Sequence, residues 1–242
     1  MTLTAGTRPT ASTARSSRST ARIAGRLYLV TFLTSIPARI LYDPALQSDY
    51  ILGSSSTTGV QLGTLLDVLC ALAGIGTAVV LYPLVKRQSE GLALGFVTSR
   101  VLEASALFVG AASLLAVVTL RTADASADPA VLAPIGDALV GLHNWAYLVG
   151  PGLLAGVNAL LLGTLMYRSR LVPRPIPMLG LIGAPLILVS GVATMFGAFD
   201  QFSAAAAILG LPVALWELSV GAWMAFKGFR PSPLLGDDAP IR

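Results

Sequence analysis

This sequence predicts an all-α membrane protein, a bundle of six transmembrane helices, and three observations carry that reading. Hydrophobic residues make up 55% of the 242-residue chain and charged residues only 12%, about half the ~25% charge of a soluble domain. Apolar stretches run unbroken for roughly 20 residues, the length at which a helix keeps its backbone hydrogen bonds internal across a ~30 Å hydrocarbon core. Arg and Lys collect in alternate loops, the pattern produced when positive residues stay on the cytoplasmic side. A transmembrane β-barrel would need short strands alternating apolar and polar residues, and the runs have no such alternation.

Residues 1–22, MTLTAGTRPTASTARSSRSTAR, are dominated by Ser, Thr, Ala and Arg, with no acid and no apolar period. Such a segment has nothing to bury, so a disordered basic cytoplasmic tail is expected. It lacks the apolar region of a cleavable secretory signal, although its Arg-rich, acid-poor makeup also fits a transit peptide. The transmembrane domain is expected over 23–230. Span one runs from about 23 to 42 and span two from about 60 to 85, the latter holding Asp67 and Cys70. Cys70 is the single cysteine, which excludes a disulfide framework within the chain.

Span three, about 92 to 120, begins with Arg100 and Glu103 near its start, and a polar outer loop with Asp124, Asp128 and Asp137 follows. Span four, about 143 to 167, opens on His143 and contains Asn158. The proline-rich stretch Leu171 to Gly180 is expected to be a stiff, extended inner loop. Span five covers about 177 to 199 and span six about 203 to 226, leaving 231–242 as a C-terminal cytoplasmic tail.

Thirteen Arg and Lys side chains fall in the termini and the two loops on their side, whereas the opposite loops receive only Arg39 and Arg121. Both termini are therefore expected in the cytoplasm. Tyr28, Tyr82, Tyr167 and Trp223 fall at inner span ends and Tyr42, Trp145 and Tyr147 at outer ends, where amphipathic rings favour the interface. Glycines four apart at Gly59 and Gly63, Gly91 and Gly95, and Gly152 and Gly156 suit close helix packing. The stretch AGIGTA at 73–78 lacks the third glycine, the strand and the acidic partner of a dinucleotide fingerprint.

The informative residues are the polar ones inside the spans, because an intramembrane charge costs free energy that some partner must offset. Arg100 and Glu103 are three apart and share a helix face. Glu217 lies ten residues before Lys227, about 15 Å of helix and too deep to reach water. Pro212, five residues earlier, removes a backbone donor and is expected to kink span six. Arg100 and Glu217 are each other's best partners apart from Glu103, so they are expected to pair.

Asp67, His143 and Arg39 form an outer-half set, while Asn158 suits an interhelical hydrogen bond at the level of Glu217. The chain has one histidine, too few for the usual metal shell, and no Ser-His-Asp or Cys-His spacing is evident. No catalytic residue, metal ligand or cofactor is assigned. The basic residues are 14 Arg and 2 Lys, a bias that reads as genome composition and loop topology, so no nucleic-acid partner is assigned either.

The stretches YLVTFLTSIPARILYDP, IGTAVVLYPLVKRQSEGLALGFVTSRVLEA, GPGLLAGVNALLLGTLMYRSRLVPRPIPMLGLIGAPL and LPVALWELSVGAWMAFKGFRP together resemble the bacterial membrane proteins grouped as domain of unknown function 4386. The resemblance covers nearly the whole chain beyond residue 22. It implies six helices and a prokaryotic inner membrane, and it implies no activity. The family pattern often has glutamate where this chain has Asp67 and an apolar residue where it has Arg39.

Two functional readings follow. In one, Arg100, Glu103, Glu217, Asn158 and Asp67 line a polar cavity that binds a small molecule or relays protons. In the other, the same residues lock helices together and the protein is a membrane scaffold or interaction component in contact with the lipid bilayer. An intramembrane enzyme is the weaker third option, and oligomeric state stays open. The two main readings separate on whether the polar side chains surround open space. The expected topology has its own test: with Cys70 replaced, a cysteine at Ser126 should react with an impermeant thiol reagent added outside the cell. Labelling that requires lysis would reverse the orientation.

Overall fold

The computed structural model describes residues 11–47, 50–53, 56–123 and 128–235. They fold into six helices, with no strand among the described residues. These are α1 (Ala11–Tyr42), α2 (Thr58–Val85), α3 (Glu90–Ala123), α4 (Pro129–Ser169), α5 (Pro175–Met195) and α6 (Ala204–Phe226). Five of them, α2 to α6, are long and apolar enough to cross a membrane, the length and composition of a multi-pass helical membrane protein. Helix α1 falls outside that set because Arg15, Arg18, Arg22, Arg26 and Arg39 lower its hydropathy, yet it packs lengthwise on α2 and α6.

Three boundaries differ from the sequence expectation, each for a local reason. Helix α1 begins at Ala11, so the expected tail is helical from there on, and residues 1–10 lie outside the described residues. Ala and Arg are strong helix formers, and Ala21 and Ala24 are fully buried against the bundle, so the packed part of the helix propagates backwards.

Helix α4 begins at Pro129, which turns much of the expected outer loop into helix. The start signal is Asp128, whose carboxylate accepts a hydrogen bond from Ala130 N at 2.9 Å, followed by Pro129 in the first turn. At 41 residues, α4 is about 60 Å long, roughly twice a hydrocarbon core. Its first turns pack against Tyr50 and Ile51 of the α1–α2 connection and against the last turns of α3.

The expected extended inner loop is the third difference. Helix α4 stops at Arg170, which takes the left-handed conformation (φ 56°) of a helix cap, and α5 restarts at Pro175. The short connection tucks Leu171 and Val172 fully beneath the bundle. The chain after α6 docks on it: Arg230 N donates to Leu171 O at 2.8 Å and Ser232 Oγ to Ser169 O at 2.7 Å. The expected tail from 231 is thus anchored through Leu235, and 236–242 lie outside the described residues.

Apolar packing concentrates at the two ends of the bundle. Near the chain termini, Tyr28, Phe96, Leu162, Met166, Trp216 and Met224 form a large core. At the far end Tyr42, Leu114 and Val117 form another, and only Ala71, Ala104 and Leu107 make a small cluster between them. The middle is therefore built from small side chains, which leaves room for the site.

Helices α1 and α6 approach most closely at Gly25, where an added Cβ would stand 2.6 Å from Gly221 O. By contrast, nothing lies within 4 Å of such an atom at Gly91. Gly25→Ala should thus lower the thermal midpoint in mild detergent, by about 1–3 kcal/mol of stability, and Gly91→Ala should be neutral or slightly stabilising. Equal effects would mean that the α1–α6 contact does not limit stability.

Candidate functional site

The site starts from one residue, Arg100. It lies in the first third of α3 and is 4% exposed. Its Nη1 donates to Glu103 Oε2 at 2.8 Å, one turn along the same helix. Its Nη2 donates to Glu217 Oε1 of α6 at 2.5 Å and to the Tyr28 hydroxyl of α1 at 3.1 Å. Asn158 of α4 donates from Nδ2 to Glu103 Oε2 at 2.7 Å. The rings of Tyr28 and Phe96 stand 5.3 and 5.7 Å from the guanidinium carbon, adding cation–π contact. One cation and two carboxylates therefore tie α1, α3, α4 and α6 together, with Arg100 Nε and Asn158 Oδ1 left without partners. The Arg100–Glu217 pair expected from depth alone is present.

A cavity of about 200 Å³ adjoins this network, and all six helices contribute to its wall. Arg100, Glu103 and Glu217 line one part of it and Asp67 and Cys70 another. The remaining wall includes Ala71, Gly74, Ala104 and Gly210, whose small size creates the space. Pro212 lies inside α6, which stays helical on both sides of it, and an added Cβ at Gly183 of α5 would stand 2.8 Å from the Pro212 Cβ.

Asp67 of α2 is 1% exposed. It faces the hydroxyl of Tyr42, and its Oδ2 has no hydrogen-bond partner. Tyr42 in turn meets His143 edge to face at 5.2 Å between ring centroids, and His143 lies 5.9 Å from Tyr147. The imidazole is oriented by its Nδ1, 3.1 Å from the Gly110 carbonyl, which makes Nδ1 the protonated nitrogen. Cys70 lines the same cavity, with its Sγ 3.7 Å from the Thr31 carbonyl. Arg39, placed by the sequence reading with Asp67 and His143, stands 5.9 Å from the centroid of the Tyr42 ring, pairs with Asp43 at 2.5 Å and lies over the Phe202 ring at 4.4 Å.

All five expected site residues are buried or mostly buried, and four of them line the cavity; Asn158 acts behind it through Glu103. Sequence reasoning placed Tyr28, Tyr42 and Tyr147 in the interfacial belts, whereas Tyr28 and Tyr42 are buried and Tyr147 is mostly enclosed among the polar groups. For Tyr28 a signal existed. Ala21, Ala24, Gly25 and Tyr28 recur at helical spacing with small neighbours, the mark of a packed face. Among the described residues no three His, Cys, Asp or Glu side chains converge as a metal shell.

The family described as "Domain of unknown function (DUF4386)" matches residues 23–228, most of the chain. The chain belongs to that family. No curated protein and no solved structure matches it. The matched region of this DUF4386 member contains every residue of the polar network and the cavity wall, from Tyr28 to Glu217.

Removing Arg100 would leave two buried carboxylates without their cation. Arg100→Ala is expected to cost about 3–5 kcal/mol, against less than ~1 kcal/mol for Arg39→Ala, whose pair with Asp43 is part-exposed. Thermal unfolding of both variants in mild detergent checks this, and equal midpoints would refute the structural weight given to the Arg100 network.

Proposed function

We propose that the cavity beside Arg100 binds a small ligand or relays protons within the membrane, with Asp67, Glu103 and Glu217 as the groups that accept charge or hydrogen bonds. The observation that carries this reading is the space itself: the Arg100–Glu103–Glu217 network and the separate carboxyl of Asp67 border a cavity of about 200 Å³ that the ion pairs do not fill. Arg100 and Asn158 hold Glu103 and Glu217 in place, and Asp67 keeps an oxygen uncommitted. A carboxylate buried with spare hydrogen-bonding capacity is poised to take a proton or a donor group.

The setting we propose is the bacterial inner membrane, with six spans and both termini cytoplasmic. Helix α1 supports the sixth span by turning Leu33, Ile36 and Ile40 outward, as α2 does with Leu62, Leu65 and Leu69. The segregation of Arg and Lys supports the orientation. One observation favours the scaffold reading: the Arg100 network pairs a cation with both glutamates and clamps four helices.

Dicyclohexylcarbodiimide, which modifies protonated carboxyls buried in apolar surroundings, separates the two. In the site reading, mass spectrometry should find the adduct on Asp67, and Asp67→Asn and Glu217→Gln should fold yet fail to complement a gene deletion that has a growth phenotype. If no carboxyl in the spans is modified and both variants complement fully, the scaffold reading stands and the cavity reading is abandoned.

A further inference from the structure

We infer that the ligand class is a small organic cation, a primary ammonium on a short apolar body, and that it reaches Asp67 from the end of the bundle away from the chain termini. This rests on the cavity being a binding site and adds its charge, shape and route.

Charge is the first argument. The groups bordering the cavity are three carboxylates, Asp67, Glu103 and Glu217, and a single cation, Arg100. Arg100 already donates to both glutamates and to Tyr28. Asp67 shares none of those bonds, is 1% exposed, lines the cavity, and has an Oδ2 with no partner. The other polar groups near it, Tyr42, Tyr147 and Cys70, bring no positive charge, and Arg39, 5.9 Å from the Tyr42 ring centroid, is paired with Asp43. An arriving ammonium therefore meets a buried carboxyl oxygen with free lone pairs, whereas an arriving anion would meet a guanidinium already engaged.

Shape is the second. The cavity wall is mostly apolar, with Phe32, Leu107, Ile187 and Val213 around the carboxylates and the Tyr147 ring beside them. A bare metal ion would leave that volume empty, and no three-ligand shell exists among the described residues. An ammonium with a short apolar body fills it, its head on Asp67 and its body against the ring faces.

The route is the third. A second cavity of about 150 Å³ shares Tyr147, Pro151, Ile187 and Gly210 with the first. A third, of about 390 Å³, shares Leu148, Thr194 and Gln201 with the second and opens among the α5–α6 connection. In this row of three, shared lining residues connect that end of the bundle to the cavity that Asp67 borders. The row follows the stretch of α4 that departs from α-helical winding, a π-turn over Leu148–Leu154 with Pro151 inside it. Proline lacks an N–H, so the helix widens there, and its widened turn forms one wall of the passage. The exposed Asp200 borders the mouth, favouring cations there too. Gly210 backs the neck between first and second cavities. A Cβ added there meets only Ile187 Cδ1, at 3.8 Å, so a larger side chain would project into the passage without a backbone clash.

The test uses the full chain in lipid nanodiscs and three probes of one shape: benzylammonium, benzyl alcohol and benzoate. Benzylammonium should raise the thermal midpoint saturably, and the neutral and anionic probes should not. Asp67→Asn should weaken the benzylammonium effect about tenfold or more, Asp67→Glu should retain it, and Gly210→Leu should slow its onset in stopped-flow fluorescence with the fold intact. If benzyl alcohol or benzoate binds as well and Asp67→Asn changes nothing, the cation class is wrong while the binding cavity stands. If none of the probes binds yet carbodiimide modifies Asp67, the cation inference is overturned and proton relay stands. If none binds and no carboxyl is modified, both fall.

Discussion

A guanidinium inside a bundle of apolar helices is the constraint on which the rest of this structure depends. Burying an ion in surroundings of low dielectric costs several kcal/mol even after relaxation, so Arg100 is compatible with the fold only where counter-ions and acceptors reach it. One comes from its own helix, Glu103, and two from others, Glu217 and Tyr28. Each requires its helix at one rotation and depth. The pairing therefore sets the register of α1, α3 and α6, and Asn158 extends it to α4 through Glu103. Apolar contacts alone would specify this weakly, because lipid tails are as apolar as the helix surfaces they replace.

The same requirement explains why space remains beside the ion cluster. Close approach of α1 and α6 near the termini comes from Gly25 and Gly221, and packing there is dense around Tyr28, Trp216 and Met224. Toward the middle the facing residues are Ala71, Gly74, Ala104 and Gly210, too small to fill the interior that the polar side chains hold open. A purely structural ion pair needs no such gap. That gap is the support for the proposed binding site over the scaffold reading.

Helix α4 joins the two halves of the polar interior. It supplies Asn158 to the Arg100 network, His143 and Tyr147 to the Asp67 end, and between them the π-turn around Pro151. An extra residue in a turn rotates everything beyond it relative to an unbroken α-helix, so the two ends of α4 present their polar groups on faces that no single α-helical stripe would join. Its length beyond a bilayer's thickness also lets its first turns cover the far end beside Tyr50 and Ile51.

Several features were determined by the sequence alone. Long apolar runs and the segregation of Arg and Lys are local properties, so a bundle of membrane-length helices was legible, as was the need of Arg100, Glu103 and Glu217 for one another. Boundaries were legible only where apolar residues marked them. The starts of α1 at Ala11 and α4 at Pro129 rest on polar helical turns stabilised by packing and by the Asp128 cap. Tertiary structure alone decided which helix faces meet. A tyrosine is as well placed at a membrane interface as in a polar interior, and only the neighbouring helices set Tyr28 against Arg100 and Tyr42 against Asp67. The cavity is likewise invisible in the chain, because empty space belongs to no residue: it is what remains when six helices, several of them with small side chains, converge around charges that cannot close the gap.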